Sequence, residues 1–255
     1  MRLLIKLGGA LVDDPAACAR LASEIAAISH EHGVVVVHGG GKQLTRFLAE
    51  RGGESRFVNG LRVTTPEVLD GVLKVLGGSV NAALVMAFRA AGARPVGLSG
   101  LDAGLVDAEL LSQELGAVGR PARSDARLLE VLTREGYLPV VACVAGDASG
   151  RVYNVNADQM AAACAASFRA DRLVFLTDVE GVRDASGGVL PALTRAGARA
   201  LIEKGVATGG MQAKLEAASS ALDSGVGEIL TAPGNMPGII GRVLGGVQVG
   251  TRMVA

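Results

Sequence analysis

The chain contains a run of four consecutive valines, Val34–Val37, which ends at His38 and three glycines, Gly39–Gly41. A short β-branched run without polar alternation is typical of a strand buried on both faces of a parallel sheet. The residues from Gln43 to Leu48 then begin a helical pattern. A strand, glycines and a helix in this order can hold an anion, because glycine lets backbone N–H groups come close and the helix N-terminus adds positive partial charge. The same order can also form nothing more than a tight turn.

A second apolar run, residues 2–7, ends at Gly8 and Gly9. Pro15 follows two aspartates and precedes apolar residues at helical spacing, so a helix is predicted between the two strands. The strands of such a β-α-β unit are parallel. Both glycine turns would then lie at the carboxyl edge of the sheet, where open α/β sheets bind ligands.

Lys6 lies inside the first apolar run. Its charge would lose hydration in a buried strand unless it found a partner. Two interpretations are open: an edge-strand lysine whose ammonium group reaches water, or a cation directed at a phosphate beside the glycine turns.

Arg62 belongs to the segment Asn59–Thr64, just before a long helical pattern from Pro66 to about Ala91. Thr65 followed by proline is a typical helix start, and two adjacent glycines weaken the middle of the pattern. The fork of an arginine suits a carboxylate held by two hydrogen bonds. A solvated loop arginine is an equally good interpretation of this residue alone.

The rest of the chain continues to alternate strands and helices. Strands are predicted at residues 94–98, 138–144, 152–158, 173–176 and 229–231, and helices at 128–135, 160–168 and 195–203. Alternation in 152–158 places Asn154, Asn156 and Asp158 on one strand face. Residues 109–121 indicate a surface hairpin. A third glycine turn at 209–210 opens a helix that carries Lys214.

Composition narrows the class of protein. The 255 residues carry a net charge of +0, which does not indicate a nucleic-acid partner. No apolar run reaches the ~18 residues of a membrane helix, and the first residues do not resemble a signal peptide. Cys18, Cys143 and Cys164 lack metal-ligand spacing, and so sparse a set argues against a disulfide framework. A cytoplasmic protein with buried thiols is expected.

Seven segments, taken in order, resemble the amino acid kinase family and span nearly the whole chain. They are Lys6–Gly9, His38–Gly41, Gly60–Thr64, Gly97–Gly100, Asn154–Asp158, Thr177–Val182 and Gly209–Lys214. Each segment alone is weak, but seven in order are specific. Gly60–Thr64 and Asn154–Asp158 resemble the branch of the family that acts on N-acetyl-L-glutamate.

The resemblance implies an α/β fold, an open αβα sandwich on one mainly parallel sheet with two lobes. Residues 1–170 would form an N-terminal lobe for amino-acid binding and dimerisation, and residues 171–255 a C-terminal lobe for ATP. The implied reaction is ATP-dependent phosphorylation of the side-chain carboxylate of N-acetyl-L-glutamate, in arginine biosynthesis. Mg²⁺ would be held mainly by phosphate oxygens, with no protein ligand named. A carboxylate needs no general base, so His38 is expected to be structural.

By the same resemblance, Lys6 and Lys214 would contact the transferring phosphoryl group, and Asp158 would orient both lysines. The residues expected at the acceptor are Gly39, Gly40, Arg62, Asn154 and Asn156. The residues expected at the nucleotide are Gly8, Gly9, Thr177, Asp178, Val179, Glu180, Gly181, Val182, Gly209 and Gly210.

Three other functions compete with this one. The nearest is a kinase for carrier-protein-linked α-aminoadipate or glutamate, although such relatives tend to lack the Gly60–Thr64 sequence. A non-catalytic amino-acid-binding regulator would have no need of Lys6, Asp158 and Lys214. A dehydrogenase would want Gly-x-Gly-x-x-Gly after the first strand and an acidic residue after the second, and neither is present.

Two segments depart from the family pattern. Lys42 stands where proline is frequent, and residues 232–238 replace the usual glycine and histidine pattern before the last helix. Arginine-inhibited members also carry a helix ahead of the first strand, which here begins at about Arg2. A homodimer insensitive to L-arginine is therefore expected. The apolar positions of the long helix 66–91 exceed one buried stripe, so some of them are expected at the two-fold contact; they are Val68, Leu69, Val72, Leu76, Val80 and Leu84.

Overall fold

The computed structural model describes residues 1–254. The strands in this range are, in chain order, β1 (Arg2–Leu7), β2 (Gly33–His38), β3 (Phe57–Val58), β4 (Leu61–Arg62), β5 (Pro95–Ser99), β6 (Val106–Leu110), β7 (Val118–Ser124), β8 (Leu138–Ala142), β9 (Val144–Gly146), β10 (Val152–Val155), β11 (Arg172–Thr177), β12 (Ala192–Thr194), β13 (Glu228–Pro233) and β14 (Thr251–Val254).

The α-helices of the same range are α1 (Gly9–Asp13), α2 (Pro15–Ile28), α3 (Gly41–Ala49), α4 (Pro66–Lys74), α5 (Asn81–Ala90), α6 (Arg127–Arg134), α7 (Ala157–Ser167), α8 (Arg195–Glu203), α9 (Gly209–Asp223) and α10 (Ile239–Leu244). A π-helical segment, Val75–Val80, joins α4 to α5. Helix starts follow the predicted signals: the Asp14 carboxylate caps α2, and the Thr65 hydroxyl caps α4.

An eight-stranded sheet forms the centre of the molecule, in the order β12-β14-β13-β11-β1-β2-β8-β5. Neighbouring strands are parallel except β13 and β14. Helix α5 packs on β5 and β8, while α6 and α7 pack on β2, β8, β1 and β11. The valines of β2 are at most 1% exposed because both faces of the sheet are covered. The predicted αβα sandwich on a mainly parallel sheet is confirmed.

The β1–β11 pair is the seam of the sheet. Strands β1, β2, β8 and β5 precede residue 170, and strands β11, β13, β14 and β12 follow it. Lys6 of β1 lies opposite Val37 of β2 on one side and Phe175 of β11 on the other. The position of Lys6 therefore places its side chain where the two halves of the sheet meet.

The long predicted helix is present as the continuous helical stretch Pro66–Ala90, with both adjacent glycines inside its π-helical segment. By length and composition alone this stretch could cross a membrane, since an 18-residue window within it has a mean hydropathy of 1.6, which the sequence analysis did not anticipate. Its C-terminal part, α5, packs against α2, β5 and β8, as the core helix of a globular domain does.

One predicted strand, residues 138–144, is in fact two strands separated at Cys143. The first, β8, belongs to the large sheet, and the second, β9, closes a small barrel with β10, β7 and β6. The predicted surface hairpin is the antiparallel β6–β7 pair of this barrel. The barrel closes through pairing between segments that are distant in the sequence, and a local sequence pattern does not predict such pairing.

The prediction that Asn154, Asn156 and Asp158 share one strand face was wrong. Strand β10 ends at Val155, and the side-chain oxygen of Asn156 accepts hydrogen bonds from the backbone N–H groups of Asp158 at 2.9 Å and Gln159 at 3.3 Å. Asn156 is thus the N-cap of α7, because its short amide offers the first turn of the helix the acceptor that the backbone lacks. Asp158 lies in that first turn.

Candidate active site

The glycine turns after β1 and β2 are joined to each other and to β11. The N–H of Gly39 donates to the carbonyl of Leu7 at 3.3 Å, and the N–H of Gly8 donates to the carbonyl of Leu176 at 3.0 Å. A side chain at Gly40 would meet Leu76 of the π-helical segment, since a Cβ there would lie 2.5 Å from Leu76 Cδ2. Both turns therefore lie at one edge of the sheet, as predicted.

A buried group of two lysines and one aspartate lies beside these turns. Lys6 Nζ is 2.8 Å from Asp158 Oδ1, and Lys214 Nζ is 3.0 and 3.1 Å from the two oxygens of Asp158. The three residues are 8%, 6% and 7% exposed for Lys6, Lys214 and Asp158. Lys214 also lies 4.8 Å from the centre of the Phe175 ring. One carboxylate therefore bridges β1, α7 and α9.

This lysine–aspartate group, formed by Lys6, Lys214 and Asp158, carries one more positive charge than negative. The charges and the burial together shift the pKa values of Asp158 and Lys214. Burial opposes ionisation of Asp158, but Lys6 and Lys214 outweigh it and hold the pKa of the carboxyl below its ordinary value. Burial, together with the charge of Lys6, lowers the pKa of Lys214 to about 8, although Asp158 partly restores it. The excess positive charge makes the group suitable for binding phosphate oxygens.

His38 is fully buried and holds the second glycine turn. Its Nδ1 lies 2.8 Å from the carbonyl oxygen of Gly39, and its Nε2 lies 3.0 Å from Asn81 Nδ2, which also donates to the carbonyl of Val140 at 2.9 Å. Burial lowers the pKa of His38 to about 4. The ring is therefore neutral, with Nδ1–H donating to Gly39 and Nε2 accepting from Asn81, and its contacts are structural, as the sequence analysis expected.

A cleft of about 700 Å³ opens beside the lysine–aspartate group. It brings together many of the residues predicted at the acceptor and at the first glycine turn. The predicted residues that line it are Lys6, Gly9, Gly39, Gly40, Arg62, Asn154 and Asn156.

Arg62 lies in this cleft, and within residues 1–254 it has no acidic partner. Its Nη2 donates to Thr45 Oγ1 at 2.8 Å and to the carbonyl of Gly41 at 3.0 Å, and its Nη1 donates to Ser55 Oγ. The guanidinium lies over the ring of Phe57 and is part of a residue only 8% exposed. Three of the five N–H groups are used, so two are available to a ligand. A buried charge with only neutral partners favours a carboxylate there.

Asn154 is oriented by a residue that the sequence analysis did not single out. The hydroxyl of Thr64 donates to the carbonyl of Arg62 at 2.9 Å and accepts from Asn154 Nδ2 at 3.0 Å. Thr64 belongs to the Gly60–Thr64 segment, so the sequence did indicate that it lies near the site. Nothing in the sequence indicated a role for Thr45 or Ser55. The side-chain oxygen of Asn156 is used as a helix cap, which leaves its amide N–H groups for a ligand.

Of the residues predicted at the nucleotide, Gly8 and Gly9 follow β1, whereas Thr177–Val182, Gly209 and Gly210 lie on the other side of the seam. Among residues 1–254, only Gly9 of this set lines the cleft. Gly209 opens α9, which carries Lys214. After β11, Val182 is anchored by a hydrogen bond from its N–H to Thr251 Oγ1 at 2.8 Å, while Asp178, Val179 and Glu180 are exposed. The negative charge of Asp178 partly offsets the lowering of the pKa of Lys214.

The two sides approach each other at the tip of the β3–β4 hairpin. A Cβ at Gly60 would lie 3.4 Å from the carbonyl carbon of Gly209. Asn59 and Gly60 both have positive φ, of 49° and 79°, as a two-residue hairpin turn requires. The hairpin that carries Arg62 therefore touches the turn that opens α9.

Excess positive charge, glycine turns and a cleft at the carboxyl edge of a parallel sheet are suited to phosphoryl transfer, so the class of protein indicated is a phosphotransferase. The sequence model of the amino acid kinase family matches residues 1–230. The chain belongs to the amino acid kinase family.

Two curated relatives and one solved structure show how similar the chain is to known proteins. It is 59% identical over 255 residues to a protein of Solibacter usitatus named acetylglutamate kinase, covering 100% of this chain and 99% of that one. A protein of the same name from Acidobacterium capsulatum is 42% identical, with coverage of 98% and 99%. A crystal structure of N-acetylglutamate synthase from Neisseria gonorrhoeae, complexed with coenzyme A and N-acetyl-glutamate, has a TM-score of 0.85 and 23% identity. The match covers 100% of this chain and 59% of that synthase. This structural likeness shows that the two proteins share a fold.

Proposed function

We propose that this protein catalyses ATP-dependent phosphorylation of the side-chain carboxylate of N-acetyl-L-glutamate to N-acetylglutamyl 5-phosphate, a reaction of arginine biosynthesis. The single observation that carries the proposal is the cleft in which Arg62, without an acidic partner, lies with Lys6 of the lysine–aspartate group. Such a cleft offers separate positive charges to two carboxylates of one acceptor. The names of the two curated relatives, similar over the full chain, support it.

The charges of the lysine–aspartate group suit the proposed transfer. An oxygen of the acceptor carboxylate attacks the γ-phosphorus of ATP, and the bond from that phosphorus to the oxygen of ADP breaks. Lys6 and Lys214 neutralise charge on the equatorial oxygens from two sides. The acceptor is already ionised, so Asp158 serves to position the lysines and takes no proton.

The two sides of the seam hold the two substrates in this proposal. Residues 1–170 provide the acceptor site, where Arg62 and Asn154 bind the amino acid and Gly39 and Gly40 approach it with backbone N–H groups. The nucleotide lies against residues 171–255 and reaches the first glycine turn of the other half. The residues assigned to it are Gly8, Gly9, Thr177, Asp178, Val179, Glu180, Gly181, Val182, Gly209 and Gly210.

Mg²⁺ fits this site as a companion of ATP. Residues 1–254 contain no group of three or more His, Cys, Asp or Glu side chains that could hold a metal ion. Both oxygens of Asp158 are engaged by the lysines. Phosphate oxygens would therefore supply most of the ligands to Mg²⁺, which commonly keeps few protein ligands.

We further propose that the protein is a cytoplasmic homodimer. Five of the apolar positions expected at the two-fold contact are buried within the chain, at most 7% exposed: Val68, Val72, Leu76, Val80 and Leu84. Leu73 and Met86 of the long helix are instead 40% and 57% exposed, and a second copy of the chain would cover them. Light scattering that gives the mass of two chains is the expected result, and a monomer at micromolar concentration would contradict it.

The proposed activity is tested by following ADP release from Mg·ATP with N-acetyl-L-glutamate, beside glutamate, aspartate, carbamate and carrier-protein-linked glutamate. Hydroxylamine trapping of the acyl phosphate confirms the product. Saturable turnover with N-acetyl-L-glutamate, at least ~10²-fold above the other acceptors in kcat/KM, is expected if binding uses both carboxylates and the acylated amine. Preference for the carrier-linked substrate or for carbamate would refute the proposal.

A further inference from the structure

The walls of the acceptor cleft are positively charged. Of the residues that the structure describes, no aspartate or glutamate lines it and four cationic residues do: Lys6, Lys42, Arg46 and Arg62. Such a surface repels positive charge from the space it encloses and attracts negative charge.

Two of these residues already have a carboxylate partner within the protein. Lys6 pairs with Asp158 at 2.8 Å, and Arg46 pairs with Asp13 at 2.7 Å. Arg62 contacts only neutral acceptors, and within residues 1–254 Lys42 has no carboxylate within 4.0 Å. Among the described residues, Lys42 and Arg62 are thus the cations of the cleft without a carboxylate partner, in addition to the excess positive charge that Lys6 and Lys214 share.

Lys42 and Arg62 both line the cleft and are connected through the start of α3, where Lys42 is exposed. Arg62 donates to the carbonyl of Gly41 and to Thr45 in the first turns of α3, and Lys42 belongs to that first turn. The turn has no acidic residue and no side-chain cap. A lysine near a helix N-terminus opposes the helix dipole, so Lys42 does not stabilise the helix electrostatically, and an anionic ligand would offset the unfavourable interaction.

The proposed acceptor has two carboxylates and, because its amine is acylated, no ammonium group. One carboxylate must face Lys6 and the glycine turns to receive the phosphoryl group, which leaves the α-carboxylate to be bound elsewhere. We propose that Lys42 is a specificity-determining residue that binds the α-carboxylate of the acceptor together with Arg62. The inference rests on the proposed function and deepens it, since the same pair of charges would repel the ammonium group of free glutamate.

The test compares two variants with two acceptors. Lys42→Gln removes the charge from the cleft. Lys204→Gln, the matched control, removes an exposed lysine at the end of α8, far along the chain from the cleft. The acceptors are N-acetyl-L-glutamate and N-acetyl-L-isoglutamine, which keeps the side-chain carboxylate but carries an α-carboxamide. Thermal melting shows that both variants are folded.

In Lys42→Gln, the KM for N-acetyl-L-glutamate is expected to rise about three- to fivefold, the upper part of the range for an exposed ion pair. The kcat, the KM for ATP and the KM for the α-carboxamide should stay within about twofold, and Lys204→Gln should match the unaltered protein. An unchanged KM for N-acetyl-L-glutamate, or an equal rise for both acceptors, would overturn the assignment of Lys42. Failure of the proposed function would show differently, as absence of turnover of either acceptor by the unaltered protein.

Discussion

The titration of Lys214 gives the sharpest test of the proposed mechanism. Its pKa is lowered to about 8, chiefly by burial and then by the charge of Lys6. Lys214 must be protonated to bind a phosphate oxygen, so the free enzyme should lose its competence as pH rises through that value. The expected result is a kcat/KM for ATP that is level below pH 8 and falls about tenfold for each further pH unit.

Bound ATP should move this titration. The negative charge of the phosphates favours the protonated lysine, so the pKa in the substrate complex is higher than in the free enzyme. The kcat, which reports the complex, is therefore expected to fall at a higher pH than kcat/KM does. Initial rates of ADP release between pH 6.5 and 10, with Mg²⁺ in excess, separate the two profiles.

Lys214→Arg is the variant that identifies the group. A guanidinium stays protonated far above pH 10, so the loss of kcat/KM above pH 8 should disappear even if the maximal rate is reduced. The mechanism would be refuted by a profile that keeps its basic limb in Lys214→Arg. A flat profile up to pH 10 in the unaltered protein would refute it equally.

The same shift predicts a pH dependence of stability. The ordinary pKa of a lysine side chain is 10.5, and that of Lys214 in the folded protein is about 8. Between these values the unfolded chain binds more protons than the folded one, so the contribution of Lys214 to the free energy of unfolding rises with pH. Below pH 8 this residue contributes a constant cost, of about 3 kcal/mol.

Further expectations concern the other charged residues. Lys6→Ala should lower kcat at least ~10²-fold, the scale for losing one transition-state donor, and a folded variant with near-normal kcat would sink the mechanism. Asp158→Asn leaves two buried ammonium groups without a counter-ion, so urea denaturation should show a loss of about 3–5 kcal/mol; an unchanged midpoint would contradict the buried pairing. Arg62→Ala should raise the KM of the acceptor far more than that of ATP, and the reverse pattern would place Arg62 on the wrong side. Glu24 accepts hydrogen bonds from backbone N–H groups at the start of α10, at 2.9 and 3.1 Å, so Glu24→Gln should cost about 1 kcal/mol; no change in melting temperature relative to Glu203→Gln would show that the cap is not needed.

The large sheet could be predicted because its strands are buried on both faces. Strands β1, β2 and β11 are nearly continuous apolar runs that end at glycine or at polar residues, and such runs need no knowledge of distant segments. The barrel could not be predicted in this way. Its strands are short, and the break at Cys143 is set by the pairing of β9 with β10, a contact that no local pattern encodes.

The candidate site was predicted in part. Lys6 stood out because a charge in an apolar run requires a partner, and the structure supplies Asp158. Asn154, Asn156 and Asp158 are spaced two residues apart, as residues on one face of a strand are. The spacing was misleading, because Asn156 is a helix cap and Asp158 already lies in the helix. Ser55, which fixes Arg62, carried no signal at all, since a serine in a loop is ordinary until its contact is known.

The placement of one carboxylate explains how the site can be assembled before any phosphate is present. Lys6 and Asp158 both precede the seam of the sheet, whereas Lys214 follows it, so the pair of Asp158 with Lys214 crosses between the two halves. Each ammonium group has three N–H donors, and Asp158 engages only part of them. The remaining donors can bind phosphate oxygens while the carboxylate still holds both lysines. Because the charges are positioned in advance, they need little reorganisation when negative charge develops during transfer, and this is the condition under which such charges accelerate a reaction most.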